Sequence, residues 1–438
     1  MLPMSSLPIP ARRSFRRAIV PALPLLLTAA LAAQKITALH VLGSRSYTPA
    51  QVVAASGLRL GEPFSPAVAQ AAANRLVATG VFANVHFSYA EDAAGAAITL
   101  TLADQPRSAP VRFDNFVWFT PAQLQQALAA IPLFDGRLPE NSGSLIQRVT
   151  DRLQQLLAAQ QLPGTVVSSL RQLGPEDVYV FHVQNAKLAA VAYSFPGAPA
   201  GLLPLLEQAV ADYGPQAGLG RGYSELAVAA FARGTLRELC RREGYLGARF
   251  SSPRARLLPG STRALTVLLP LAAGPVYRLG GIQCAGSPVF RCAQLQAAVL
   301  RRSGLQPGAV ADYGQLQQGI LSLTPLYKNH GYFSVQIRTK PRLDAAAAIA
   351  DIELKIQSGP LYAFGRLLVR GWEPAMAAKI AAAWKPAPGQ PSNSKYLVQL
   401  AQKLGLNFRY ELSADPLTRQ VNIVIQPRRP AYGSTGLP

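Results

Sequence analysis

Apolar and polar positions alternate from Ile36 to Val41, which predicts a half-buried strand ending at Gly43. Thr48-Pro49 supplies a capping hydroxyl and a first-turn proline for a short helix that stops at Gly57. Ser65-Pro66 opens a second helix, with Val68, Ala72 and Leu76 on one face and Gly80 at its end. The period then returns to two. Phe82, Val85 and Phe87 mark a second strand, Gly95 a turn, and Ile98, Leu100 and Leu102 a third. The order is β-α-α-β-β.

That order recurs. Residues 274–286, GPVYRLGGIQCAG, return as residues 359–371, GPLYAFGRLLVRG, with Gly274, Pro275, Tyr277, Gly280 and Gly286 recurring as Gly359, Pro360, Tyr362, Gly365 and Gly371. A glycine between a helical and a β-rich stretch appears at Gly80, Gly164, Gly244, Gly331 and Gly405. Thr48-Pro49-Ala50-Gln51 recurs as Thr120-Pro121-Ala122-Gln123. A period this long indicates a small domain used repeatedly. Five repeats are expected: 34–106, 107–185, 186–273, 274–358 and 359–427, each a three-stranded sheet with two helices on one face in an α+β fold.

Within repeat two, Asn115 stands near the position of the strand-ending glycine, and Ile146, Val149, Leu153 and Leu156 are expected to share a helical face. Repeat three diverges most. Its Gly218-Leu219-Gly220-Arg221-Gly222 loop has neither the spacing nor the preceding strand of a phosphate loop, and reads as a link between helices. In repeat four Pro325 should kink or shorten the second helix, and Tyr332–Ile337 should form the second strand.

Arg12, Arg13, Arg16 and Arg17 precede the apolar run Ala18–Ala33, and Ala30-Leu31-Ala32 offers a small-x-small cleavage site. Residues 1–33 are therefore expected to be a cleaved export signal, too short and too proline-interrupted for a spanning helix. Residues 428–438, rich in Gly, Ser and Pro, are expected to be a disordered tail.

The net charge of +21 becomes +17 without the four leader arginines. Export and the absence of a single basic stripe argue against nucleic acid, leaving a solvated surface or weak contact with anionic lipid. His40, His86, His182 and His330 have no ligand partner at metal spacing, and no hydrolase, zinc-protease or nucleotide motif is present. No cofactor, metal or catalytic residue is expected. Cys284, late in a strand, and Cys292, at a helix start, are either a short-loop disulfide or two reduced buried thiols; Cys240 is expected in the core.

A three-stranded sheet cannot close on itself, so its margins leave backbone groups that can accept a foreign strand. The βααββ order, the Gly-Tyr/Phe junction before strand two and the GP-[VL]-Y-x(8)-G opening resemble polypeptide-transport-associated (POTRA) domains. Gly43, Gly80, Gly244, Gly274, Tyr277, Gly286, Gly331, Gly359, Tyr362 and Gly371 carry the resemblance. In the outer-membrane β-barrel assembly and translocation factors, such domains lie in the periplasm ahead of a membrane barrel, receive unfolded outer-membrane proteins by strand addition, and dock accessory lipoproteins.

No series of alternating barrel strands follows repeat five, so only the soluble, polypeptide-handling half of that function is expected here. The resemblance implies an exported, non-enzymatic protein held near the outer membrane by its partners. Its strand-accepting margins would be Val85, Phe87 and Tyr89 in repeat one and Phe333, Val335 and Ile337 in repeat four. Two alternatives stay open: a periplasmic spacer or scaffold docking a folded envelope partner, and the soluble part of a barrel protein whose barrel is encoded separately or lost by truncation.

Overall fold

The computed structural model describes residues 34–428 except 141, 142, 287, 288 and 388. The expected export signal, and all of the expected tail except Arg428, lie outside the described residues. Contacts divide the chain into two bodies, Met1–Ser108 with Ile131–Gln147 and Ala109–Ala130 with Arg148–Pro438.

Repeat one consists of β1 (Ile36–Leu42), α1 (Pro49–Ser56), α2 (Pro66–Thr79), β2 (Phe82–Asp92) and β3 (Gly95–Asp104). The last strand is central: β3 runs parallel to β1 and antiparallel to β2. Thr48 and Gln51 form a reciprocal capping box at α1, and Gly57 and Gly80 close the helices in the left-handed conformation. Ile98, Leu100 and Leu102 are buried, as are Val52, Ala69, Ala72 and Leu76 on the helices. Each such leucine contributes roughly 1.5–3 kcal/mol by leaving water.

Repeat two contains β4 (Ser108–Phe113), α3 (Pro121–Leu128), β5 (Arg137–Pro139), α4 (Ser144–Ala159), β6 (Thr165–Leu173) and β7 (Glu176–Gln184). The short strand β5, between the two helices, is a departure from the five-element order. Leu145, Val149, Leu153 and Leu157 are the buried face of α4, whereas Ile146 and Leu156 are half-buried, so the buried positions recur every four residues. Asn115 does by side chain what a glycine does by conformation. Its amide donates to the Val183 carbonyl at 3.0 Å and accepts from the Val183 N–H at 2.7 Å.

Repeat three departs further. After β8 (Ala189–Ser194) and α5 (Leu203–Tyr213), a short 3₁₀ turn spans Leu219–Arg221, so the glycine-rich loop does link helices. The second helix is α6 (Glu225–Phe231) and α7 (Arg237–Arg242), joined through a π-turn at Ala232–Leu236. The second and third strands are broken into β9 (Arg249–Phe250), β10 (Arg254–Leu257), β11 (Ala264–Leu268) and β12 (Leu271–Ala272). Pro253 and Pro270 fall at these breaks, where neither can donate to a ladder. The result is a three-stranded sheet, β10-β11-β8, and a separate β12-β9 pair, not the single sheet expected.

Repeat four restores the order with β13 (Arg278–Ala285), α8 (Cys292–Ser303), α9 (Tyr313–Leu321), α10 (Leu323–Lys328), β14 (Gln336–Asp344) and β15 (Ile349–Gln357). The second helix is interrupted at Ser322, three residues before Pro325, as the proline ring demands. Repeat five has β16 (Ala363–Val369), α11 (Pro374–Ala383), α12 (Ser394–Leu404), β17 (Phe408–Asp415) and β18 (Gln420–Pro427). Both sheets repeat the arrangement of the first, β13-β15-β14 and β16-β18-β17.

Candidate functional site: the margins of the sheets

In repeat one the register fixes which backbone groups face outward. The Ala96 N–H donates to the Lys35 carbonyl at 2.9 Å, so Ala96 turns its polar groups towards the first strand. By alternation Ile98, Leu100 and Leu102 do the same. Their partners across the other ladder are Tyr89, Phe87 and Val85. The N–H and C=O of these three therefore point away from the sheet, and among the described residues no strand lies beyond β2.

The opposite margin is different. Ile36 donates to Glu62 at 2.9 Å, and Gly61 donates back to Ile36 at 2.8 Å. In repeat four Leu279 and Gly308 pair in the same way with Ala309 and Leu279, at 2.8 and 2.7 Å. In repeat five Phe364 donates to Gln390 and Ser392 to Tyr362, both at 2.9 Å. The loop between the two helices thus closes the start of strand one in each of these repeats. Among the described residues no loop or further strand pairs with strand two in this way.

In repeat four the three expected residues do not all lie on the strand. Ile337 lies on β14 opposite the buried Ile356, which gives it the outward orientation of Val85, Phe87 and Tyr89. Phe333 and Val335 precede β14, which begins at Gln336. Val335 packs against the core of repeat four, and Phe333 against that of repeat five. Thr339, Pro341 and Leu343 follow Ile337 at outward positions, opposite Leu354, Ile352 and Ala350. Pro341 has no N–H, so this margin lacks a donor in its middle. A proline inside an alternating run is visible in the sequence, and it is the signal that marks this edge as guarded.

The glycine and tyrosine landmarks meet at the joints between repeats. The Tyr277 N–H donates to the Gly244 carbonyl at 2.9 Å, and the Tyr362 N–H to the Gly331 carbonyl at 2.9 Å. Gly244 and Gly331 have φ of +85° and +88°, and an added Cβ would lie 2.6 Å from Val310 and 2.8 Å from Leu361. Two residues on, Leu246 enters the core of repeat four, and Phe333 meets the Tyr362 ring edge-on at 6.0 Å. Of the other signature glycines, Gly43, Gly80, Gly274, Gly286, Gly359 and Gly371 all have positive φ. Gly43 and Gly286 each lie against a carbonyl of the central strand, Leu102 and Ile356.

Cys284 and Cys292 form a disulfide with Cα atoms 5.6 Å apart, tying the end of β13 to the start of α8. Cys240 is a buried free thiol whose pKa burial pushes up to about 11. His182 is held below the ordinary imidazole range by burial and by Arg171, against the opposing pull of Asp114. Among the described residues no group of three His, Cys, Asp or Glu could hold a metal ion, and no helix is long and apolar enough to cross a membrane.

No family model and no curated protein matches the chain. Solved structures do. The BamA POTRA3-5 segment of Haemophilus influenzae is 14% identical, with 55% of this chain and 96% of that one covered and a TM-score of 0.37. POTRA1-3 of the periplasmic domain of Omp85 from Anabaena is 12% identical over 74% and 95% of the two chains, with a TM-score of 0.17. CdiB from Escherichia coli is 14% identical over 47% and 35%, with a TM-score of 0.21. Superpositions this loose support no residue correspondence. The chain is similar to POTRA arrays.

Proposed function

We propose that this chain is a non-enzymatic, periplasmic array of five POTRA-like repeats that holds outer-membrane β-barrel polypeptides, or a barrel or accessory partner, by adding their strands to its open sheet margins. The observation that carries this reading is the asymmetry of the margins. The start of strand one is closed by the inter-helix loop, whereas Val85, Phe87 and Tyr89 present unpaired backbone groups along β2. An added strand gains main-chain hydrogen bonds there, each worth about 1 kcal/mol net, without displacing any ladder.

Repeats two and three are read as altered copies of the same unit. They keep the helix pair and a central last strand, β7 or β11, running parallel to the first strand. The similarity of the chain to POTRA arrays of BamA and Omp85 proteins supports assigning it to outer-membrane protein assembly.

A photoreactive phenylalanine analogue at Phe87 tests the reading. It is expected to crosslink unfolded barrel precursors well above the level given by the same analogue at Val77, an exposed helix position. Equal, background-level adducts at both positions would refute strand addition at this margin.

A further inference from the structure

Lys and Arg occur in every repeat, but their excess does not. Residues 34–185 contain ten Lys and Arg against ten Asp and Glu, whereas residues 186–428 contain 28 against 12. This imbalance has a concentrated local form on the solvent face of β14 and β15. Arg338, Lys340 and Arg342 alternate along β14 and so project from one face, and Lys355 stands directly opposite Arg338. Like charges opposed across a ladder are destabilising.

Two carboxylates share this face, Glu353 opposite Lys340 and Asp351 opposite Arg342, but neither stands opposite Arg338 or Lys355. Glu353 binds Arg342 at 2.9 Å, and Asp351 accepts the Gly281 N–H at 2.6 Å. Among the described residues no ion pair involves Arg338, Lys340 or Lys355. Together with Thr339, Arg342 and Glu353 they line an open cleft of about 360 Å³. The solvent-facing series along β14 is Gln336, Arg338, Lys340, Arg342 and Asp344, with no apolar side chain to seat a hydrophobic partner. The missing donor at Pro341 also makes a polypeptide strand a poor occupant of the adjoining margin.

We propose that this face docks the chain on an anionic lipid bilayer, with headgroup phosphates filling the cleft and neutralising the opposed Arg338 and Lys355. Charge complementarity carries the proposal. Edge protection by itself accounts for Pro341 and for one lysine, but not for two cations set opposite each other on the sheet face. The solvent face of β14 is basic and bears no apolar side chain, with Ile349 of β15 the exposed apolar residue at the end of the face, so binding is mainly electrostatic and weakens as salt rises. The proposal does not rest on strand addition, since neither the cleft nor its occupant uses the backbone margin.

The test is flotation of the full chain with phosphatidylcholine vesicles containing or lacking phosphatidylglycerol. The wild type is expected to float only with the anionic vesicles. Replacing Arg338, Lys340 and Lys355 by Ser should weaken that binding by on the order of tenfold or more, since each basic side chain near such a surface contributes severalfold. The charge-matched control, Ser at Arg301, Arg302 and Lys328, should retain most of it. Equal losses in the two variants would mean diffuse attraction and overturn the assignment, as would unchanged binding in the first. A loss confined to polyglutamate binding, with vesicle flotation intact, would identify an acidic polypeptide as the occupant and also overturn it. Lys355→Gln alone should unfold at the same or a higher temperature than the wild type, because it removes the opposed charge. If the triple variant fails to fold, this single variant carries the vesicle test, and undiminished flotation would count against the proposal.

Discussion

The second strands of repeats one and four occupy the same place in the same kind of sheet, yet they offer different surfaces. β2 is eleven residues long without a proline, and its outward backbone groups belong to Val85, Phe87 and Tyr89. β14 has Pro341 in its middle and three basic side chains on its solvent face. The helix faces of the two sheets are nearly interchangeable: Ile98, Leu100 and Leu102 in one, Ile352, Leu354 and Ile356 in the other, all buried. Core and margin are therefore separable. A repeat can keep its packing while the proline content and charge of its edge change.

The largest effect should be common to both repeats. Leu100→Ala and Leu354→Ala are each expected to cost about 2–5 kcal/mol, read as lost hydrogen-exchange protection in the repeat concerned. A marked difference between them would show that the two cores are not equivalent. A second effect should be one-sided. Replacing Cys284 and Cys292 by Ser is expected to lower the stability of repeat four by about 2 kcal/mol, the entropy of a short closed loop, and leave repeat one unchanged.

Exchanging the edge character should have a smaller effect. Tyr89→Pro removes an outward N–H and should reduce strand capture at β2 severalfold, as loss of about 1 kcal/mol implies; Pro341→Thr should raise it at β14. Crosslinking yields that ignore both changes would separate capture from the backbone margin. The smallest expected effect concerns acid. Burial works to raise the pKa of Asp104, but hydrogen bonds from Ser44 and from the Arg45 and Ser46 N–H groups outweigh it and hold the carboxyl below its usual range. Its contribution is present above the ordinary carboxylate pKa of about 3.9 and is lost as pH falls through the depressed folded value. Asp104→Asn should therefore flatten the acid limb of repeat one's unfolding curve and leave repeat four's unchanged.

Much of this is written in local sequence. The capping pair Thr48 and Gln51, the closing Gly57 and Gly80, and the alternating Ile98, Leu100 and Leu102 act within a few residues of one another, so pattern alone places them. The break before Pro325 is equally local. The edge assignment in repeat four was not legible in the same way. Tyr332-Phe333-Ser334-Val335 alternates like a strand, but Phe333 and Val335 are drawn into two different cores by the joint, and pairing starts only at Gln336.

Nor does the sequence announce that the inter-helix loops close the start of strand one. That closure is made by backbone groups of Gly61, Gly308 and Gln390, whose side chains carry no sign of it. The π-turn at Ala232–Leu236 and the split strands of repeat three likewise depend on packing that no short window contains.

The joints have a practical consequence for anyone dividing the chain. Leu246 belongs by sequence to repeat three and by packing to the interior of repeat four, and the Tyr277 amide finds its acceptor only in Gly244. A fragment cut at Gly274 would leave that interior short of one leucine and that amide without its acceptor, whereas one begun upstream of Gly244 carries both. The autonomous piece is longer than the written repeat, and it borrows its first turn from its predecessor.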